Sequence, residues 1–141
     1  MDIKVVETEK QKKDAYYVRH TVFVVEQKVP PELEIDDLEK EAIHFVGYEN
    51  DHPIAASRMR LVDDYGKLER ICVLKEYRGK YFGKQIIGKM EHYLKEKGLP
   101  KAKLNAQTHA EDFYHSLGYE TISDEFMDAG IPHVTMIKKL S

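Results

Sequence analysis

The sequence has no tryptophan and only one cysteine, Cys72, so an internal disulfide framework and a thiolate cluster for zinc are both excluded. It has no Pro- or Gly-rich linker and no internal repeat, which leaves no place for a domain boundary. No apolar run approaches the length that spans a bilayer, and Met1-Asp2-Ile3-Lys4 does not open a secretory signal. A cytoplasmic, reducing location is expected. Charge of one sign is also lacking: 22 Lys and Arg against 25 Asp and Glu give −3, no general reason to bind nucleic acid or an anionic membrane. What is present, 141 residues of which 42% are hydrophobic and 33% charged, suits one domain over residues 1–141 with a real core.

Periodicity divides the chain into alternating elements. Ile3 to Val6 reads as a strand, and Glu9 to Gln27 carries Ala15, Val18, Val22 and Val25 at helical spacing. Lys28 to Glu41 opens on Pro30-Pro31 and holds six carboxylates, which predicts loop or short helix. Three β-rich segments follow, Ile43 to Glu49, Pro53 to Val62 and Lys67 to Leu74, divided by turn-forming sequences into an antiparallel meander. From Tyr81 to Lys97 the residues Phe82, Ile86, Met90 and Tyr93 mark a helix that Gly98 and Pro100 end. Lys103 to Gln107 is then a strand, Ala110 to Leu117 a helix, and Tyr119 to Ile122 with His133 to Lys138 two last strands.

One junction carries chemistry. The strand ending at Leu74 runs through Arg78-Gly79-Lys80-Tyr81-Phe82-Gly83-Lys84 straight into the long helix. The first turn of a helix presents N–H groups with no intrahelical acceptor and partial positive charge, and small residues let a phosphate reach them. Arg78, Lys80 and Lys84 add full charges suited to phosphate oxygens. A Walker loop is excluded, because Arg78 stands where its first glycine belongs and Gln85 follows Lys84. The spacing of Gly79 and Gly83 is not the dinucleotide fingerprint either. The plainer alternative is that the two glycines only permit a tight turn.

With Val22-Phe23-Val24-Val25-Glu26-Gln27, Leu68-Glu69-Arg70-Ile71-Cys72-Val73, Asn105-Ala106-Gln107, Phe113-Tyr114, Leu117-Gly118-Tyr119 and Ala129-Gly130-Ile131-Pro132-His133, the chain resembles the GNAT acetyltransferase superfamily, in its ElaA/YjcF-like branch. The resemblance implies an α/β (α+β) fold: a mixed, splayed sheet of six to seven strands with helices on both faces. It implies acetyl-CoA or coenzyme A as co-substrate, with no metal. Carried over by position, Ile71, Cys72 and Val73 would bind the pantetheine through their backbone, Arg78, Gly79, Lys80, Tyr81, Phe82, Gly83 and Lys84 the pyrophosphate, and Asn105 and Tyr114 would complete the cofactor site. The family loop reads [RQ]-x-x-G-x-[GA]; here Tyr81 replaces the central glycine, and a Cβ would crowd that place if the backbone needs positive φ.

Acyl transfer to an amine asks for a neutral amine, a stabilised oxyanion and a protonated thiolate. The resemblance makes Tyr114 the proton donor to sulfur, and a phenol, with a reference pKa of ~10, carries its proton at neutral pH. Its alternative is a packing aromatic. For the base, Glu69 is a candidate because strand alternation puts it on one face with Ile71 and Val73; Glu26, His109 and His133 are others. Cys72 reads as a small packing residue rather than a nucleophile. His20, His44, His52, His92 and His115 lack metal spacing. The acidic connector is either solvated or attracts a cationic amine, whereas Arg19, Arg58, Arg60 and Arg70 argue for an anionic acceptor.

The leading expectation is an N-acetyltransferase acting by direct attack on a small-molecule or protein amine. A second is a CoA-binding sensor or interaction module that has lost turnover, motivated by Tyr81. A third, a nucleic-acid domain using the basic loop, is weaker, and no nucleic-acid or membrane partner is assigned. A homodimer stays open.

Overall fold

The computed structural model describes residues 1–140. After strand β1 (Asp2–Val5), Thr8 starts the first helix with a reciprocal cap: its hydroxyl accepts from Gln11 N–H at 3.1 Å and Gln11 Oε1 accepts from Thr8 N–H at 3.1 Å. Helix α1 (Glu9–Arg19) then widens over His20–Glu26 into a π-helix, where Gln27 N–H donates to Val22 O at 3.0 Å. The β-branched run Val22 to Val25 occupies this widened segment. The connector folds as short α2 (Pro31–Glu34) and a 3₁₀ turn over Glu39–Glu41.

Strands β2 (Ile43–Glu49), β3 (His52–Val62) and β4 (Tyr65–Val73) form the expected antiparallel meander. Helix α3 (Phe82–Glu96) leads to β5 (Lys101–Gln107), α4 (Glu111–Ser116), β6 (Glu120–Thr121), β7 (Phe126–Asp128) and β8 (Ile131–Lys139). One sheet results, in the order β1-β2-β3-β4-β5-β8-β6, with β7 on β8. It has eight strands where six to seven were expected. The added strand, β7, is three residues long and turns back through Ala129 and Gly130, both at positive φ (52° and 76°), which is the twist a tight hairpin uses.

Helices cover both faces. Phe45 on β2 meets Tyr93 of α3 edge-on at 5.9 Å, and Gly66 on β4 lies so close to α3 that a Cβ there would come within 2.3 Å of Leu94 Cδ2. Tyr48, of opposite parity on β2, donates to Asp14 of α1 at 2.6 Å. Partners across a ladder share a face, so Leu68 and Leu104 point to α3, and Arg58, Glu69, Lys103 and His133 point to the α1 side. Ile86, Ile87, Met90 and Leu94 bury the inner stripe of α3, each side chain contributing about 1.5–3 kcal/mol of transfer energy.

The junction of β4 and β5 positions everything that follows. They pair in parallel over only four rungs, Tyr65–Leu68 with Lys101–Leu104, and then diverge. Arg70 is the reason: it sits at φ 55°, and the register against β3 slips between Arg58↔Glu69 and Ala56↔Cys72, so two residues of β4 oppose one. Such a bulge bends its strand and turns it away from its neighbour.

Candidate active site

Past the fourth rung, Glu69–Val73 of β4 and Asn105–Gln107 of β5 face each other across an open slot with peptide groups unpaired between them. The outer edges of both segments are satisfied by β3 and β8. A cavity of about 1110 Å³ runs through this slot. Ile71, Cys72, Val73 and Asn105, assigned to the cofactor from sequence, all line it, as do Arg78, Gly79, Tyr81, Phe82, Gly83, Lys84 and Tyr114. Lys80 does not line it; its ammonium lies 5.8 Å from the Tyr77 ring.

The loop before α3 leaves open space at the helix start. Gly79 is at φ 80° with open space where a Cβ would be, and Gly83 has room as well. Tyr81 caps the helix at φ 65°, ψ 12°, the left-handed region, with its ring 77% exposed. A tyrosine thus holds a left-handed conformation that glycine adopts freely, with its Cβ in place and its ring turned to solvent. Arg78 is engaged otherwise: it grips Glu26 at 2.6 and 2.7 Å and donates to Val73 O at 2.9 Å. That hydrogen bond, with the nearby charge, holds the Glu26 carboxyl below its ordinary range. Together with Gln107, which donates to Gln27 at 2.9 Å, it ties the end of the π-helix to both lips of the slot.

Tyr114 enters from α4. It is 9% exposed, packed edge-on against Phe113 and Tyr119, and burial pushes its phenol well above the usual range, so it is a proton donor and not a phenolate. Among the described residues its hydroxyl has no hydrogen-bond partner, and the residue lines the cavity. Cys72 is buried; desolvation pushes its thiol up to about 12, which agrees with a packing role and not a nucleophilic one.

Two sequence expectations are corrected by the bulge and by the connector. Glu69 does not share a face with Ile71 and Val73: opposite Arg58 it points to the α1 side with Cys72, while Val73, opposite Ala55, points the other way. Its carboxylate accepts from Arg58 at 3.0 Å and Arg60 at 2.9 Å. Burial pushes its pKa up, but these partners outweigh that and hold it below the ordinary carboxylate range, which makes it a poor proton acceptor. The acidic connector divides: Glu32, Asp37 and Glu41 are solvated, whereas Glu34, Asp36 and Glu39 are held by arginines rather than free for an amine. Glu34 and Glu39 are buried, and Arg19 binds both at 2.8 Å. Arg58 binds Asp36 and Glu39 at 2.7 Å, and Arg70 binds Glu34 at 2.9 Å. Four arginines and four carboxylates thereby consume one another. None of these arginines is left to hold an anionic acceptor.

The far wall of the cavity was missed in part. Asp128, Ala129 and Ile131 line it because β7 folds back on β8, and β7 was not predicted. The dipeptide Ala129-Gly130 ahead of an alternating run was the available signal. Half-buried Lys67 also lines the cavity, with no carboxylate partner among the described residues.

A parallel pair that splits beside a phosphate-shaped helix start, with a buried phenol at the split, defines an acyl-CoA-type acyltransferase fold. The sequence model of the acetyltransferase (GNAT) domain matches residues 7–140. The chain is 49% identical over 139 residues to the uncharacterized N-acetyltransferase YjcF of Bacillus subtilis, covering 98% of this chain and 99% of that one. It is 31% identical over 131 residues to the ElaA protein of Escherichia coli, covering 87% and 84%. The chain belongs to the GNAT family of N-acetyltransferases. The crystal structure of E. coli ElaA superposes with a TM-score of 0.86 at 26% identity over 97% of this chain and 98% of that one. An aminoglycoside 6′-N-acetyltransferase complexed with coenzyme A shares the fold at a TM-score of 0.80 and 13% identity, covering 100% and 98%.

Proposed function

We propose that the chain moves an acetyl group from acetyl-CoA to a small-molecule or protein amine by direct attack, both substrates being bound together. The observation that carries this reading is the slot between β4 and β5, open to a phosphate-shaped loop on one side and to the α1-side cavity on the other. Amide groups of Ile71, Val73, Asn105 and Gln107 on the two open edges would hold the pantetheine arm, and first-turn N–H groups of α3 with Lys84 would hold the phosphates. When bound, acetyl-CoA supplies the activated thioester. Tyr114, kept protonated by its burial, gives its proton to the departing sulfur. Backbone N–H groups beside the bulge are rigid donors for the oxyanion. An aminoglycoside 6′-N-acetyltransferase of the same fold is complexed with coenzyme A, which supports the ligand class.

The test is Tyr114→Phe, which removes an oxygen with no protein partner and so spares the fold. Thiol release from acetyl-CoA, measured across a panel of primary amines, should fall by about 10²-fold or more in kcat while CoA affinity is kept. The second reading, a sensor without turnover, is favoured by the strained Tyr81 and by the Glu26 clamp on Arg78. CoA binding with no amine-dependent thiol release in the unsubstituted protein would establish it in place of catalysis.

A further inference from the structure

We propose that His133 is the general base of the transfer, taking the proton of the acceptor amine on its Nε2; the assignment rests on the acetyl-transfer reading above. His133 opens the inner part of β8, opposite Gln107, on the face of the sheet turned to α1. Tyr114 lies on the other face: it packs on Tyr119, whose hydroxyl donates to Glu91 of α3 at 2.8 Å, and both Tyr114 and His133 line the cavity that runs through the slot.

The ring is held in one orientation and one tautomer. Its Nδ1 lies 2.7 Å from the carbonyl oxygen of Ile131, and because a carbonyl only accepts, Nδ1 carries the hydrogen and donates. In the neutral ring Nε2 then has the lone pair. Phe126 stacks on the imidazole with centroids 6.0 Å apart and planes at 24°, which fixes the plane of the ring. The residue is 8% exposed, yet Nε2 is not sealed away: it has no hydrogen-bond partner among the described residues and the side chain lines the cavity. A lone pair on a ring held in place at the cavity wall is what base catalysis requires.

The competing groups are either occupied or exposed to solvent. Glu69 is held by Arg58 and Arg60, and Glu26 by both arms of Arg78. His109 donates from Nε2 to Gln107 at 2.6 Å and keeps on the cavity an Nδ1 that is free among the described residues, but its ring is exposed to solvent whereas His133 is buried. Glu34, Asp36 and Glu39 are locked to arginines, and Cys72 is a protonated thiol. Asp128 lines the cavity without a partner among the described residues, but it is an exposed carboxylate on the rim. The titratable groups on the elements packed against the strand of His133 are Lys103 of β5 and Glu120 of β6, both four residues away opposite Ile137, Asp128 of β7 opposite Ile131, and His109 in the turn after β5. Lys67, Glu69 and Arg70 of β4 line the same cavity.

The proton balance closes. As the amine nitrogen bonds to the acyl carbon, its extra proton passes to Nε2; as the carbon–sulfur bond breaks, Tyr114 protonates the sulfur. The imidazolium then loses a proton to water and the tyrosinate regains one. Base and acid therefore act from opposite faces of the sheet, through the slot that separates β4 from β5.

His133→Asn keeps a donor for the Ile131 carbonyl, and His133→Gln places an amide where Nε2 stood; neither can serve as base. With a polyamine, an amino acid, an aminoglycoside and a peptide amino terminus as acceptors, kcat/KM for the best amine should drop by about 10²-fold or more in both variants. CoA affinity by calorimetry should stay within about twofold, and the deficit should shrink as pH rises toward the amine's own pKa or as imidazole is added. Independently of turnover, ¹⁵N spectra of the resting protein should show His133 protonated on Nδ1 when neutral. Transfer within about threefold of the parent with an unchanged pH profile, or an Nε2-protonated neutral ring, would overturn the assignment. If the parent protein binds CoA but transfers to none of the amines, the acetyl-transfer reading itself fails, and the assignment falls with it.

Discussion

Tyr81 offers a test of the loop in which the structure fixes both sign and size. At φ 65° and ψ 12° an L-residue carries about 1–2 kcal/mol of steric strain relative to the right-handed region. Its ring is 77% exposed, so removing the side chain forfeits little packing. Tyr81→Gly relieves the strain but adds unfolded-state entropy worth about 0.5–1 kcal/mol, leaving a net gain of about 0.5–1 kcal/mol. Tyr81→Ala is the control, since its Cβ keeps the strain; it should lie within about 0.5 kcal/mol of the parent. For a chain of this size the glycine variant should melt about 2–3 °C higher, and urea midpoints should separate glycine from alanine by the same free energy. A glycine variant no more stable than the alanine one would refute the left-handed assignment of this residue and with it the shape given to the phosphate loop.

Two further outcomes concern the charge cluster under the cavity. Glu39→Gln leaves Arg19 and Arg58 short of a counter-charge in a buried site, and should lower unfolding free energy by about 3 kcal/mol in urea titration. Asp36, held by Arg58, and Glu39, held by Arg19 and Arg58 against the cost of burial, both lie at about 2, below their unfolded values. Their stabilisation is therefore complete above the unfolded carboxylate range near pH 4–4.5 and is lost as pH falls toward about 2, on the order of a few kcal/mol in all. Thermal melts stepped from pH 5 to pH 2 should show this loss, and it should shrink in Glu39→Gln.

Much of this was readable before any coordinates. The stripe Ile86, Met90 of α3, the stop at Gly98 and the meander of β2 to β4 depend on local pattern, and local pattern survives folding. The helix start after Arg78 was legible for the same reason, while Tyr114 was singled out by the family resemblance; both line the cavity. What was not legible depends on partners far along the chain. Whether Glu34 and Glu39 are solvated or buried is decided by Arg19 and Arg58, which only the tertiary fold brings to them. The two-residue parity that linked Glu69 to Ile71 fails because Arg70 is bulged, and arginine gives no hint of a left-handed conformation as glycine would. Strand β7 is too short to show periodicity, so the wall it builds and the stacking of Phe126 on His133 went unseen.

The four-rung ladder between β4 and β5 has a mechanical meaning too. It divides the sheet into two well-laddered halves joined by one short seam, and the peptide groups past Leu68 and Leu104 are the ones without strand partners on that side. A ligand whose own amides complete those edges behaves as a borrowed strand segment, adding rungs the polypeptide does not supply. Its binding energy then enters the cohesion of the whole domain as RT ln(1 + [L]/Kd). Under the proposed function, occupancy and folding stability become one coupled quantity, and the seam with the fewest rungs is where a bound substrate would complete the sheet.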